Sequence, residues 1–298
     1  IWSTIIIMRE ADFNLWSFIL VSLAHVPNAC SVSSTIPPRN KVMSSTAVCP
    51  LALPLRTQLS GAVHMSLART FAGDVASGTL AAALTAPLVC TIDRASTVIA
   101  AGKQPTLEAV KEGWSQIVQQ PLAFITSALF LYVWFACGIT YAAANALSSS
   151  SMPVVRQLMT VTAINSLACI VRDAELAKLY GIHRDRRPLP RSSYVAWCAR
   201  DIATMGFVFT LPPLVAKWLP GIPKPFLQFA LPLVCQYITA PLYLLGHAFY
   251  NLQGGPLHLQ LTAVRTAYAG TVLMRQVRAV TQYSLTNVAN ARLRMLFA

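Results

Sequence analysis

Long apolar runs alternate with short polar breaks marked by proline and glycine along this chain. No Asp, Glu, Lys or Arg occurs from Gly113 to Val155 or from Pro225 to Val264. Both gaps exceed the roughly 20 apolar residues a helix needs to cross a bilayer core. The apolar runs predict helices near 71–101, 121–147, 153–180, 194–219, 225–251 and 272–297. The last of these carries Arg275, Arg278, Arg292 and Arg294. Its apolar face is therefore narrow, and its bases must snorkel or be shielded by neighbouring helices.

A period runs through the pattern. Leu84-Thr85-Ala86-Pro87, Val161-Thr162-Ala163-Ile164 and Ile238-Thr239-Ala240-Pro241 follow one another at intervals of 77 residues. Each is followed by a basic or titratable residue (Arg94, Arg172 or His247) and then by a glycine at 102, 181 or 254. A glycine just past the last periodic residue is a helix stop. A fixed period of this kind marks a repeat architecture. The chain reads as an all-α membrane bundle of six helices in three two-helix repeats, at 71–148, 149–225 and 226–298, after an extension over 1–70. Pro87 and Pro241 would kink their helices, with the Thr85 and Thr239 hydroxyls satisfying the carbonyls so freed.

Composition supports the membrane reading. Only 11% of residues are charged and 55% are apolar, where a soluble domain carries about 25% charged residues. The net charge of +13 is scattered between apolar runs, without the clustered bases and interleaved aromatics of a nucleic-acid site. One loop, "HRDRRPLPR", is dense, and Arg184, Arg186, Arg187 and Arg191 suit anionic lipid head groups. Loops after odd helices hold Lys103, Lys111, His183 and those four arginines, against Arg156, Lys217 and Lys224 after even ones. That excess marks the inside face. Seven cysteines fall in no zinc-like spacing and read as small apolar residues.

Between Asp12 and Asp74 no acid occurs, while Arg39, Lys41, Arg56 and Arg69 stand among hydroxyl and alanine residues. A mitochondrial transit segment has this composition. The rival reading takes residues 13–26 as the apolar core of a secretory signal or an anchor. Glu10 and Asp12 before it argue against a positively charged leader.

Three two-helix units, a basic chain and a proline near the end of odd helices resemble the mitochondrial carrier family over roughly 71–298. "GTLAAALTAPLVCTIDR" is similar to a carrier's first helix with its signature, and "EGW" at 112–114 to the opening of its short matrix segment. The resemblance implies signature acids at Val89, Ser166 and Tyr243 and bases at Ile92, Cys169 and Gly246. None of the six is charged, so the salt-bridge gate expected of that family is missing at those positions. "RDIATMGFVFTLPPL" and "QYITAPLYLLGHAFYN" are similar to mitochondrial membrane proteins of fungi and protists.

Three neighbouring pairs, Asp93 with Arg94, Arg172 with Asp173 and Arg200 with Asp201, lie at or within predicted spans, where ionisable groups are costly and must pair or line a cavity. They read either as a solute-binding and gating set or as structural charges. Because adjacent residues on a helix do not face each other, each would bond a different neighbouring helix. His247 could relay a proton or bind a ligand. The alternative is a neutral ring satisfied by a carbonyl or hydroxyl. No second ligand sits one turn away to make a metal site.

No catalytic motif is present, and residues 202–298 hold no carboxylate, which argues against an enzyme. No cofactor is called for, though an anionic lipid such as cardiolipin could be bound. The expected role is a non-transporting, carrier-like accessory or scaffold subunit of an inner-membrane complex, respiratory or ATP-synthase associated, whose partners are the bilayer and other subunits. The alternative is a solute carrier for a small anionic metabolite, with Arg94, Arg172 and Arg200 as its cavity charges.

Overall fold

The computed structural model describes residues 63–183, 187–219 and 221–297. Among them every regular element is helical: α1 (Val63–Ala100), α2 (Thr106–Gln119), α3 (Pro121–Ile125), α4 (Ala128–Ser148), α5 (Val154–Tyr180), α6 (Arg191–Met205), α7 (Leu211–Trp218), α8 (Lys224–Asn251), α9 (Leu257–Val280) and α10 (Asn287–Phe297). π-helical segments at Gly206–Thr210 and Thr281–Thr286 join α6 to α7 and α9 to α10. Arg184 and Arg186 of the basic loop, and the expected targeting segment up to residue 62, lie outside the described residues. Arg187 and Arg191 are exposed, as a head-group contact requires.

Among the described residues four helices are long and apolar enough to cross a bilayer: Thr70–Ala100, Ala128–Ser148, Val154–Tyr180 and Phe229–Asn251. The chain is a multi-pass membrane protein by this measure and by its outer surface. Leu84, Phe135 and Ile202 are exposed, and an apolar exterior of this kind suits lipid as solvent. The six-span tandem plan is not established by it, because α6 with its 15 residues is too short to qualify by itself and α9 is too polar.

Each helix packs on the next. α1 lies against α4, α4 against α5, α6 against α8 and α8 against α9, while α9 and α10 return to α1; the α5–α6 seam is the thinnest. From Val89 to Ala100 every residue of α1 is buried, so this stretch of the helix is wrapped on all sides. The core there gathers Ile92, Val98, Ala177, Trp197, Tyr243, Leu244 and Tyr250.

The last helix departs from the sequence expectation. It begins at Leu257 rather than near 272 and continues through the second π segment to Phe297. Its arginines do not end it because Arg278 and Arg294 turn inward to Asp93 and Asp74 on α1. The expected polar loop after α1 contains α2, whose Leu107, Trp114 and Val118 form one exposed apolar stripe that suits the membrane interface. Glu112 and Gly113 sit within this helix rather than at its start.

The repeat marks serve different local ends. Thr85 Oγ1 donates to Ala81 O at 3.1 Å and meets Thr286 Oγ1 at 3.0 Å. Thr162 Oγ1 approaches Met205 Sδ at 3.6 Å, and Thr239 Oγ1 donates to Cys235 O at 3.0 Å. Neither threonine addresses the carbonyl its proline frees, which lies four residues before the proline. The one freed by Pro241, Tyr237 O, accepts instead from Tyr268 of α9 at 3.0 Å. Gly102 and Gly254 do end their helices with left-handed backbone, φ 66° and 76°. Gly181 does not. A side chain there would strike Asn251 Oδ1 at 2.8 Å and Tyr250 at 2.9 Å.

Candidate functional site: a buried chain of ion pairs

Where α1, α5, α6 and α9 converge, charged side chains form one continuous chain. Arg278 Nε lies 2.7 Å from Asp93 Oδ1, and Arg172 Nη1 lies 3.5 Å from Asp93 Oδ2. Arg172 holds Asp173 Oδ1 through Nε at 2.9 Å and Nη2 at 2.7 Å. Asp173 Oδ2 accepts a short hydrogen bond from Arg200. Arg200 then closes on Asp201 Oδ1 through Nε at 2.8 Å. Asp93, Arg172, Asp173, Arg200 and Asp201 are all at most 6% exposed. Charges this deep persist only when paired and hydrogen-bonded.

The two halves of the chain differ in quality. Asp173 receives a two-pronged arginine and a second arginine. Asp93 has its cations close, but neither Arg278 Nε nor Arg172 Nη1 makes an aligned hydrogen bond, and Asp93 Oδ2 has none. Proximity without alignment supplies Coulomb attraction and forfeits the directional part. The link from α1 to α5 and α9 is therefore the weakest joint.

Two expectations are corrected here. Arg172 and Asp173, like Arg200 and Asp201, do bond their own neighbours, because the long arginine side chain folds back along the helix; Asp173 also bonds across to α6. Only the first pair separates, Asp93 to α5 and α9, and Arg94 to α2. His247, 1% exposed, packs edge-on against Tyr243 and Trp197 with ring centroids 4.5 and 5.3 Å away. Among the described residues both of its ring nitrogens lack a hydrogen-bond partner, so no carbonyl or hydroxyl there satisfies it.

At the loop end of the chain, Arg94 Nη2 pairs with Glu112 at 2.6 Å and Nη1 donates to Ala109 O at 3.1 Å. This pins α2 to α1 beside a recess of about 330 Å³ lined by Lys103, Gln104 and Tyr180. The guanidinium holds the Glu112 carboxyl below the usual carboxylate range, with Gln104 adding a second hydrogen bond. A carboxyl lowered by folding stabilises the fold above its unfolded value and loses that contribution as pH falls through the folded one. Glu112→Gln should lower the thermal midpoint slightly at pH 7, and the difference should shrink as pH falls below the usual carboxylate range. A difference that does not shrink with acidification would contradict the assignment.

A second polar cluster lies about 28 Å away along α1, 19 residues at 1.5 Å each between Asp74 and Asp93. Asp74 accepts from Arg294 Nε at 2.9 Å and Ser149 Oγ at 2.5 Å. Asn145 and Asn290 exchange hydrogen bonds at 2.8 and 3.0 Å. That separation approximates the thickness of a bilayer core.

Sequence reasoning missed Arg275 and Arg278 as site residues. The signal was present, since residues 202–298 contain no acid and bases one turn apart in such a segment must take their acids from elsewhere. At the six carrier-signature positions the structure places no charge; the ion-paired Asp93 and Arg172 stand one and three positions beyond Ile92 and Cys169.

The model of a family described as "Probable citrulline exporter" matches residues 77–298. No curated protein and no solved structure matches the chain. The matched family is not the mitochondrial carrier family that the repeat resembles, and it points to membrane transport where the missing signature charges had argued against it. The prolines at 87 and 241 kink a helix in any bundle, so they do not identify a family. The match spans almost the whole helical bundle, and the chain belongs to the probable citrulline exporter family.

Proposed function

We propose that this protein carries citrulline, or a neutral amino acid of the same build, across the inner mitochondrial membrane. The observation that carries the reading is the buried chain of ion pairs linking α1, α5, α6 and α9. A bundle that only had to hold together could replace such pairs by apolar packing at little or no cost in stability. A barrier that must open and close needs contacts with two discrete arrangements, and ion pairs provide them. In this reading all six helical rods cross the bilayer, with α6 and α9 keeping their charges turned inward. The weakly aligned Asp93 is where the barrier parts. The acid-free, arginine-bearing stretch before Asp74 supports the mitochondrial location.

The test is flux through the purified full chain in liposomes loaded with citrulline. Saturable uptake of labelled citrulline is expected, and Asp93→Asn should reduce it at least tenfold while leaving the protein monodisperse. An inert wild-type chain that co-purifies in fixed stoichiometry with a larger complex would sink the transport reading in favour of an accessory subunit.

A further inference from the structure

The charges at the centre of the bundle do not balance. Among the described residues three carboxylates, Asp93, Asp173 and Asp201, face four arginines, Arg172, Arg200, Arg275 and Arg278. Three of the arginines make ion pairs. Arg275 makes no ion pair and no side-chain hydrogen bond among the described residues, and its Nε is buried without a partner. Its guanidinium lies over the Tyr243 ring at 5.0 Å, beside the Arg200 guanidinium 5.8 Å from the same ring. His247 packs against the same ring, centroids 4.5 Å apart, and its two nitrogens are equally unpartnered among the described residues. A guanidinium held over an aromatic face keeps its donors for another partner, and a planar fork of donors matches a carboxylate. A cation left without its anion at this depth is costly, and a bound carboxylate supplies the missing charge.

We infer that Arg275, lying over Tyr243, takes the α-carboxylate of the transported solute, with His247 beside it as a neutral hydrogen-bonding group. The inference rests on the transport reading for its substrate and on the charge imbalance for its chemistry. It assigns the carrier a carboxylate-bearing cargo and excludes the corresponding amines. Binding of the carboxylate adds an anion next to Arg200 and Arg278, so it competes with Asp173 and Asp93 for them and loosens the barrier from within. Arg275 is thus a specificity-determining residue.

The experiment is ligand-dependent thermal stabilisation of the detergent-purified full chain, with citrulline and citrulline amide as probes. Citrulline should raise the midpoint and the amide, which lacks the carboxylate, should not. Arg275→Gln should retain the unliganded midpoint, having lost no ion pair, and abolish the citrulline shift. Arg275→Lys keeps the charge but not the fork and should weaken binding about tenfold, equivalent to about 1.4 kcal/mol. Equal shifts by citrulline and its amide overturn the inference, as does an undiminished shift in both variants. Should Arg275→Gln fail to fold, Arg275→Lys decides alone. Flux measured in parallel separates the two readings. A carboxylate-dependent shift without flux keeps the site and removes the transport, whereas wild-type flux through Arg275→Gln keeps the transport and removes the site.

Discussion

Replacing Asp173 by alanine should lower the thermal midpoint of the purified protein by about 10 °C or more. Asp173 is 2% exposed and is the anion shared by Arg172 and Arg200, themselves 4% and 2% exposed. Removing one partner of a buried pair costs about 3–5 kcal/mol, because the charge left behind stays desolvated. In a domain of this size each kcal/mol shifts the midpoint by about 2–4 °C. The paired change Arg172→Met with Asp173→Leu removes a cation and an anion together. It leaves Asp93 with Arg278 and Arg200 with Asp201, so it should recover most of the loss. If the double variant falls as far as the two single variants summed, the chain of pairs is not coupled as its geometry indicates.

Gly78→Val should be nearly as damaging through a different mechanism. A Cβ at Gly78 would lie 2.5 Å from the backbone N of Ala142 and 2.7 Å from the carbonyl carbon of Tyr141. The obstacle is backbone, so α1 and α4 must separate. Small residues that let helix backbones meet are a main source of helix association in lipid. Separation would strain the bond from Trp134 Nε1 to Thr79 O, 2.9 Å, and that from Asn145 to Asp74 O, 3.1 Å. A loss of about 3 kcal/mol or more is expected, seen as poor recovery and a broad profile on size exclusion in detergent. Gly138→Ala is the control, since its Cβ meets Thr79 only at ordinary contact distances of 3.7 Å. Equal behaviour of the two variants would refute the close-approach argument.

Much of the fold was legible from apolar run length. α5 and α8 fall within a residue of their expected bounds because their apolar windows start after proline and end at loops that hold glycine. The end of α1 was legible for the same reason. α2 was missed because a 14-residue amphipathic helix is polar in sum, and its length is set by packing on α1 rather than by hydropathy. The last helix was placed late because its first turns, from Leu257 to Gly270, mix apolar with polar residues and carry Arg265, so no apolar run marks its start. The site was half legible. Asp93, Arg172, Asp173, Arg200 and Asp201 stand out as charges in apolar runs, while nothing local says which base meets which acid.

The sequence by itself determined a helical membrane protein with its charges concentrated at a few depths, because lipid admits only satisfied backbone and taxes every charge by its position along a helix. Tertiary structure decided the partners. Asp93 finds Arg278 across 185 positions of sequence and Arg172 across 79, contacts that depend on how rods rotate and tilt against each other. Which arginine remains without an acid among the described residues is a property of that assembled arrangement alone.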